Sequence, residues 1–181
     1  RTTFYYSMSE AGKIAVKRFL QEGHQRIACI TDEEESPVLN GYREAMRHAG
    51  LPLKTSWVYE GRSWKDIERV GFRQCLVERV TAVICGSREI ACCLWKYMHQ
   101  ASVIIPDELA VIVIGDDSLL EVLGNGLTAV QLPVAEVCRS AVNSLVGMIE
   151  SEKTVRGSRY FLPTLVERGS VMRPPQTKQG E

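Results

Sequence analysis

The groups best placed to do chemistry in this sequence directly follow apolar runs. Asp116 and Asp117 come after residues 109–114, Ser87 and Arg88 after residues 81–85, and Arg62 and Trp64 after residues 57–60. An acidic stretch at residues 32–35 follows the run at 26–31. Carboxylates, guanidinium groups and a hydroxyl gathered at strand ends can hold a small polar molecule by charge-assisted hydrogen bonds. Nothing nearby suggests bond-making: there is no nucleophile elbow and no phosphate-cradling glycine loop. His24, His48 and His99 stand apart, and no His, Cys and Asp spacing resembles a metal site. The expectation is a binding domain with no metal, no cofactor and no enzymatic activity. Blander roles stay open for the same residues. Asp116 and Asp117 also suit capping of the next segment, Trp64 a helix start packed on the core, and Arg88 a solvated first helical turn.

The elements that must position these groups are legible from patterning. Ser7 and Glu10 have capping-box spacing, and Ala11, Ile14, Ala15 and Phe19 follow at helical intervals up to Gly23. Residues 26–31 read as a strand buried on both faces. Ser36-Pro37 opens a helix running to Gly50, and residues 57–60 form a second strand. Ser63 caps a helix over residues 64–79, residues 81–85 form a third strand, and a helix spans residues 87–101. Residues 109–114 form a fourth strand. Strands alternating with helices in this way build right-handed βαβ units and an open parallel sheet with helices on both faces, an α/β fold. After Gly115-Asp116-Asp117 the rhythm changes. A loop with Gly124-Asn125-Gly126 precedes a strand at 127–132. Pro133 then opens a helix whose apolar face comprises Val134, Val137, Ala141, Leu145 and Met148. Two short strands, near 159–162 and 165–168, precede a polar tail from Arg173 that is expected to be disordered.

Composition narrows the function further. The 22 Lys and Arg residues among 181 balance 22 Asp and Glu, so this chain by itself is a poor ligand for the phosphate backbone of nucleic acid. The six cysteines, Cys29, Cys75, Cys85, Cys92, Cys93 and Cys138, include no C-x-x-C pair and mostly sit in apolar stretches, which suits reduced thiols and a cytoplasmic location. No apolar run approaches the ~20 residues of a membrane span, and the opening Arg1-Thr2-Thr3-Phe4-Tyr5-Tyr6 does not read as a signal peptide.

Several segments then resemble one family, the LacI/GalR transcription repressors. Gly23-His24-Gln25-Arg26-Ile27-Ala28 resembles its G-H-x-x-I-A step and is followed by Asn40-Gly41-Tyr42 and Ala49-Gly50-Leu51. Thr81-Ala82-Val83-Ile84-Cys85, then Ser87 to Ala91, is similar to T-A-x-x-C with N-D-x-x-A. Ile105-Pro106-Asp107-Glu108-Leu109 resembles V-P-E-D-V, Leu127-Thr128-Ala129-Val130 resembles L-T-T-V, and Leu165-Val166-Glu167-Arg168-Gly169-Ser170 resembles L-V-x-R-x-S. The resemblance covers residues 7 to 170 in the family's order.

It implies a periplasmic-binding-protein-like fold of type I, with open parallel sheets flanked by helices and a ligand cleft between two subdomains. By that comparison residues 1–118 are the C-terminal subdomain, 119–158 a segment returning to the N-terminal subdomain, 159–172 the final crossover strands and 173–181 the tail. A small effector, a sugar or an anionic metabolite, would be held by Asp116, Asp117, Ser87, Arg88, Arg62 and Trp64, with Trp64 as the ring stacked on a sugar. Operator DNA would be bound through an N-terminal region outside this chain, and the intact protein would be a homodimer, as two half-sites require. The pattern departs from the family at three points. Val38 stands where the family has Arg, Ser87-Arg88 where it has Asn-Asp, and Gly115 where the strand-end Asp is counted. These departures leave the fold reading intact and open the anionic alternative, held by Arg62 or Arg88, beside the sugar.

Overall fold

The computed structural model describes residues 2–61, 64–151 and 157–175. The chain opens with β1 (Thr2–Tyr6), and Ser7 caps α1 (Met8–Gln21) by accepting the Glu10 N–H at 3.2 Å. β2 (Ile27–Thr31) is buried along its whole length, as expected of a strand covered by helices on both faces. α2 (Pro37–His48) starts on its proline. β3 (Val58–Glu60) leads into a helical stretch made of α3 (Trp64–Asp66), a wide π-helical turn at Ile67–Phe72 and α4 (Arg73–Val77). β4 (Ala82–Cys85) and β5 (Ala110–Ile114) are again wholly buried and flank α5 (Arg88–Gln100). α6 (Leu119–Val122), β6 (Thr128–Gln131), α7 (Val134–Ser151), β7 (Gly157–Phe161) and β8 (Thr164–Val166) complete the chain.

One sheet has the strand order β3-β2-β4-β5-β6-β8, parallel throughout except for the antiparallel β8. Right-handed crossovers from β2 to β3 and from β3 to β4 run in opposite directions across the sheet. They therefore put α2, with α1 beside it, on one face and the 64–77 helical stretch, with α5, on the other. The second sheet pairs β1 with β7, Thr2 opposite Gly157 and Tyr6 opposite Phe161, with the rings of Tyr5 and Tyr160 5.2 Å apart.

The sheets do not part at residue 118. Ile112, Val113 and Ile114 pair with Thr128, Ala129 and Val130, so β6 stays in the large sheet, and β8 closes its edge. β1, assigned from sequence to the first unit, instead joins β7. The helix α7 is also turned from its expected setting. Val137, Ala141 and Met148 are half-buried with Ser140, Ser144 and Gly147, whereas Val134 and Leu145 are exposed. Apolar residues occupy more than one side of this helix, so periodicity alone does not choose the face. Val142, Leu145, Val146 and Ile149 form an open apolar stripe, Ile149 being 80% exposed. At the chain's end, residues 173–175 are not a detached tail. Pro174 and Pro175 lie beside Arg26 and Thr81, and Arg173 Nε is 4.0 Å from Glu22. Residues 176–181 are outside the described residues.

Two contacts explain the first motifs. α1 and α2 cross backbone to backbone: a Cβ on Gly41 would lie 1.8 Å from the Ser9 carbonyl oxygen, and one on Gly12 2.2 Å from that of Val38. The next residue, Tyr42, is buried and donates its hydroxyl to the Ile27 carbonyl at 2.8 Å, joining α2 to β2. His24 is buried edge-on to Phe19, with Nε2 2.7 Å from the Met172 carbonyl and Nδ1 2.9 Å from Thr81 Oγ1. A carbonyl only accepts, so Nε2 carries the proton and Nδ1 accepts from the Thr81 hydroxyl. Desolvation by burial lowers the His24 pKa below its ordinary value, although the Met172 carbonyl acts in the other sense.

Gly41→Ala must push α1 away from α2 and is expected to cost at least about 2 kcal/mol in urea unfolding. Because the folded His24 pKa lies below the unfolded one, its neutral form is favoured by folding. That contribution is complete above pH 6.5 and is lost as pH falls towards the folded pKa. The gap in melting temperature between the native chain and His24→Gln should narrow as pH is lowered from 7.5 to 5.5 in scanning calorimetry. A constant gap would refute this role.

Candidate functional site

Because β2, β3, β4 and β5 run parallel, their carboxyl ends lie along one rim of the large sheet, where open α/β sheets bind ligands. Asp32 follows β2, Gly61 follows β3, Ser87 and Arg88 follow β4, and Asp116 and Asp117 follow β5. Backbone hydrogen bonds tie the loop starts to the neighbouring strand: Gly61 N donates to Thr31 O at 3.1 Å and Gly86 N to Ile30 O at 2.8 Å.

Ser87 does two jobs. Its hydroxyl oxygen accepts the Ile90 N–H at 3.4 Å, which caps α5, and its hydroxyl donates to Asp32 Oδ2 at 3.0 Å, which joins the ends of β2 and β4. Arg88 reaches the other way, its Nη1 2.6 Å from Asp117 Oδ2, while its Nε donates to Glu89 at 2.8 Å. The second oxygen of Asp117 accepts the Leu119 N–H at 2.9 Å and so starts α6. That backbone donor, and then Arg88, hold the Asp117 carboxyl below the usual range. Arg88 is raised by Glu89 and Asp117.

Asp116 is occupied differently. Arg168, in the segment after β8, grips it with both ends of its guanidinium, Nη1 to Oδ1 at 2.8 Å and Nη2 to Oδ2 at 3.1 Å, and also donates to Leu127 O and Glu121 Oε1. Both side chains are largely covered, 13% and 15% exposed. Asp116 in turn accepts the Asp117 N–H at 3.0 Å and so places the residue that faces the rim. Ser170 completes the join by accepting the Thr128 N–H at 2.8 Å and donating to Val111 O at 2.6 Å.

The structure therefore brings Ser87, Arg88, Asp116 and Asp117 together on one rim, with Asp116 turned into the fold. Arg62 lies outside the described residues. Trp64 begins α3 on the segment that follows β3, but its side chain is also outside them. Val38, where the resemblance would place an Arg, is buried in the core. Arg168 was not singled out from sequence as a site residue, and Asp32 entered only as part of the acidic stretch at residues 32–35. The L-V-x-R-x-S resemblance was the one signal for Arg168, and a polar residue directly after a fully buried strand was the signal for Asp32.

The rim can hold hydroxyls and charged groups. Among the described residues, no group of three or more His, Cys, Asp or Glu is arranged to bind a metal. Burial pushes the Cys29 and Cys75 thiols up to about 12, away from the reactive thiolate form.

Comparison with known proteins identifies the architecture. A model of the periplasmic binding protein-like domain matches residues 16–171. The chain belongs to that family. It is 33% identical over 171 residues to the ribose operon repressor of Escherichia coli (strain K12), covering 88% of this chain and 50% of the repressor. It is 26% identical over 168 residues to the transcriptional repressor PurR of Photobacterium profundum, covering 90% and 50%. Its fold is similar to that of a LacI-family regulatory protein from Chloroflexus aggregans, with TM-score 0.81, 26% identity and coverage of 92% and 62%. Escherichia coli AscG, a transcriptional repressor, matches in fold at TM-score 0.85 and 22% identity, covering 93% and 64%. The chain thus spans about half the length of the two repressors.

Breaking the Asp116–Arg168 fork leaves a largely covered charge without its partner. Asp116→Ala and Arg168→Ala should each cost about 2–4 kcal/mol in denaturant unfolding, and the double variant should cost less than their sum. Arg88→Ala, at the exposed rim, should leave the unfolding midpoint nearly unchanged.

Proposed function

We propose that this chain is the larger part of the effector-binding region of a bacterial transcription repressor. In this reading a small polar effector, a sugar or an anionic metabolite, sits on the rim between this unit and a facing one. Its binding alters how a DNA-binding region outside the chain engages operator DNA. The observation that carries the proposal is the half-exposed chain of polar groups at the carboxyl ends of β2, β4 and β5: Asp32 with Ser87, then Arg88 with Asp117.

Asp117, Ser87 and Arg88 are the groups we assign to effector contact, with Arg62 and Trp64 kept as candidates from the sequence alone. Asp116 acts one step back, by fixing Asp117. Hydroxyl-rich ligands suit Asp117 and Ser87, and anionic ones suit Arg88 and Arg62. Relatives bracket the chemistry: one is named for the ribose operon, and a 25% identical regulator, CelR, is known as a complex with cellobiose.

Balanced charge supports DNA contacts made elsewhere in the protein. A homodimer and a cytoplasmic location follow from the same reading, and the open apolar stripe on α7 supports further protein covering it. Among the described residues no helix is long and apolar enough to cross a membrane.

The full-length protein, screened by thermal shift against pentoses, hexoses, their phosphate esters and small carboxylates, should be stabilised by one of these classes. A ligand at 100 times its Kd contributes about 2.7 kcal/mol. Asp117→Asn for a hydroxyl-rich ligand, and Arg88→Ala for an anionic one, should reduce or abolish that shift while leaving the unliganded melting temperature close to that of the native protein. A shift that both variants keep in full, or no shift with any class, would overturn the assignment.

A further inference from the structure

We propose a second binding site, away from the rim, for a dianionic oxyanion such as a phosphate monoester. It lies where the outer side of α2 meets the edge strand β3, in an open pocket of about 390 Å³. Arg43 and Arg47 are one helical turn apart on α2, and Lys54 approaches from the segment before β3. Thr55 adds a hydroxyl, and Glu60 is the one carboxylate in the lining.

The chain as a whole carries no net charge, whereas here three cations meet Glu60 and, through Lys54, Glu78, which leaves a local excess of one. Their internal pairing is incomplete. Arg43 Nη2 is 3.9 Å from Glu60 Oε2, beyond hydrogen-bond length, and no ion pair is seen for Arg47 among the described residues. Lys54 is shared between Glu78, 3.2 Å away, and the ring of Trp57, 5.2 Å from its centroid. Two guanidinium groups spaced i and i+4 present planar forks that suit phosphate oxygens, and Lys54 adds a point charge. The pocket's size is that of a small-molecule site.

A second consequence of these cations is to guard an exposed sheet edge against strand addition. That role needs only charge, and does not distinguish phosphate from chloride.

The site is independent of the rim, and the test separates the two. Inorganic phosphate and glycerol 1-phosphate are titrated into the full-length protein by calorimetry, with sodium chloride at matched ionic strength as the control. Saturable binding of the phosphate ligands above the chloride control is expected. Arg43→Gln with Arg47→Gln should weaken it at least about tenfold, Lys54→Gln about fivefold, and the rim variant Arg88→Ala not at all. Arg43→Lys with Arg47→Lys should restore part of the affinity.

Three results would overturn the proposal: no binding beyond the chloride control, binding that survives Arg43→Gln with Arg47→Gln, or binding lost in Arg88→Ala. The last would place the phosphate on the rim. If the double Gln variant does not fold, unchanged binding in the exposed-residue variant Lys54→Gln is the refuting result.

Discussion

The fork between Arg168 and Asp116 is the contact on which the rim depends. One guanidinium, delivered by the antiparallel closing strand, spans Asp116, Glu121 and the Leu127 carbonyl. It therefore fixes the loop after β5, the start of α6 and the entry to β6 together. Ser170 extends the same join to Val111 and Thr128. A residue near the end of the chain thus sets the position of Asp117, and Asp117 sets where Arg88 rests.

That dependence explains which parts of the structure were legible in the sequence. Elements stabilised by local signals stand where expected: Ser7 and Ser87 cap their helices, Pro37 opens α2, and the apolar runs of β2, β4 and β5 are buried throughout. The features not foreseen rest on distant partners. β1 is a strand only because β7, from the far end of the chain, lies beside it. The role of Asp116 was invisible without Arg168, which approaches it only after the chain has folded back through β8. The single helix expected over residues 64–79 contains a π-helical turn at Ile67–Phe72, where Gly71 lies close against Tyr59. Residue spacing alone carries no mark of that widening.

The family-like segments can likewise be given physical causes. Gly41 is required by a helix crossing that leaves no room for a Cβ, and Tyr42 by a buried carbonyl that needs a donor. His24 joins the start of the sheet to the closing segment through Thr81 and Met172. Arg168 and Ser170 serve the rim. Most of these residues maintain the scaffold, whereas Ser87 and Arg88 depart from the family pattern and face the rim. The supporting contacts keep the rim in place whatever its ligand chemistry is.

The state of the rim also constrains how the proposed signalling could work. Ser87 already donates to Asp32, and Arg88 already pairs with Asp117 at 2.6 Å. A ligand that replaces these contacts exchanges one set of hydrogen bonds for another in the presence of water, with a small net gain. Substantial affinity then has to come from a second surface that closes over the ligand, removes water and strengthens each polar contact. Affinity that depends on the position of a second surface differs between arrangements of the two. That difference is the physical requirement for a ligand to shift an equilibrium between them. In the proposed function, an open rim whose polar groups are already paired with each other would suit sensing, because it would bind well only when a second surface had closed.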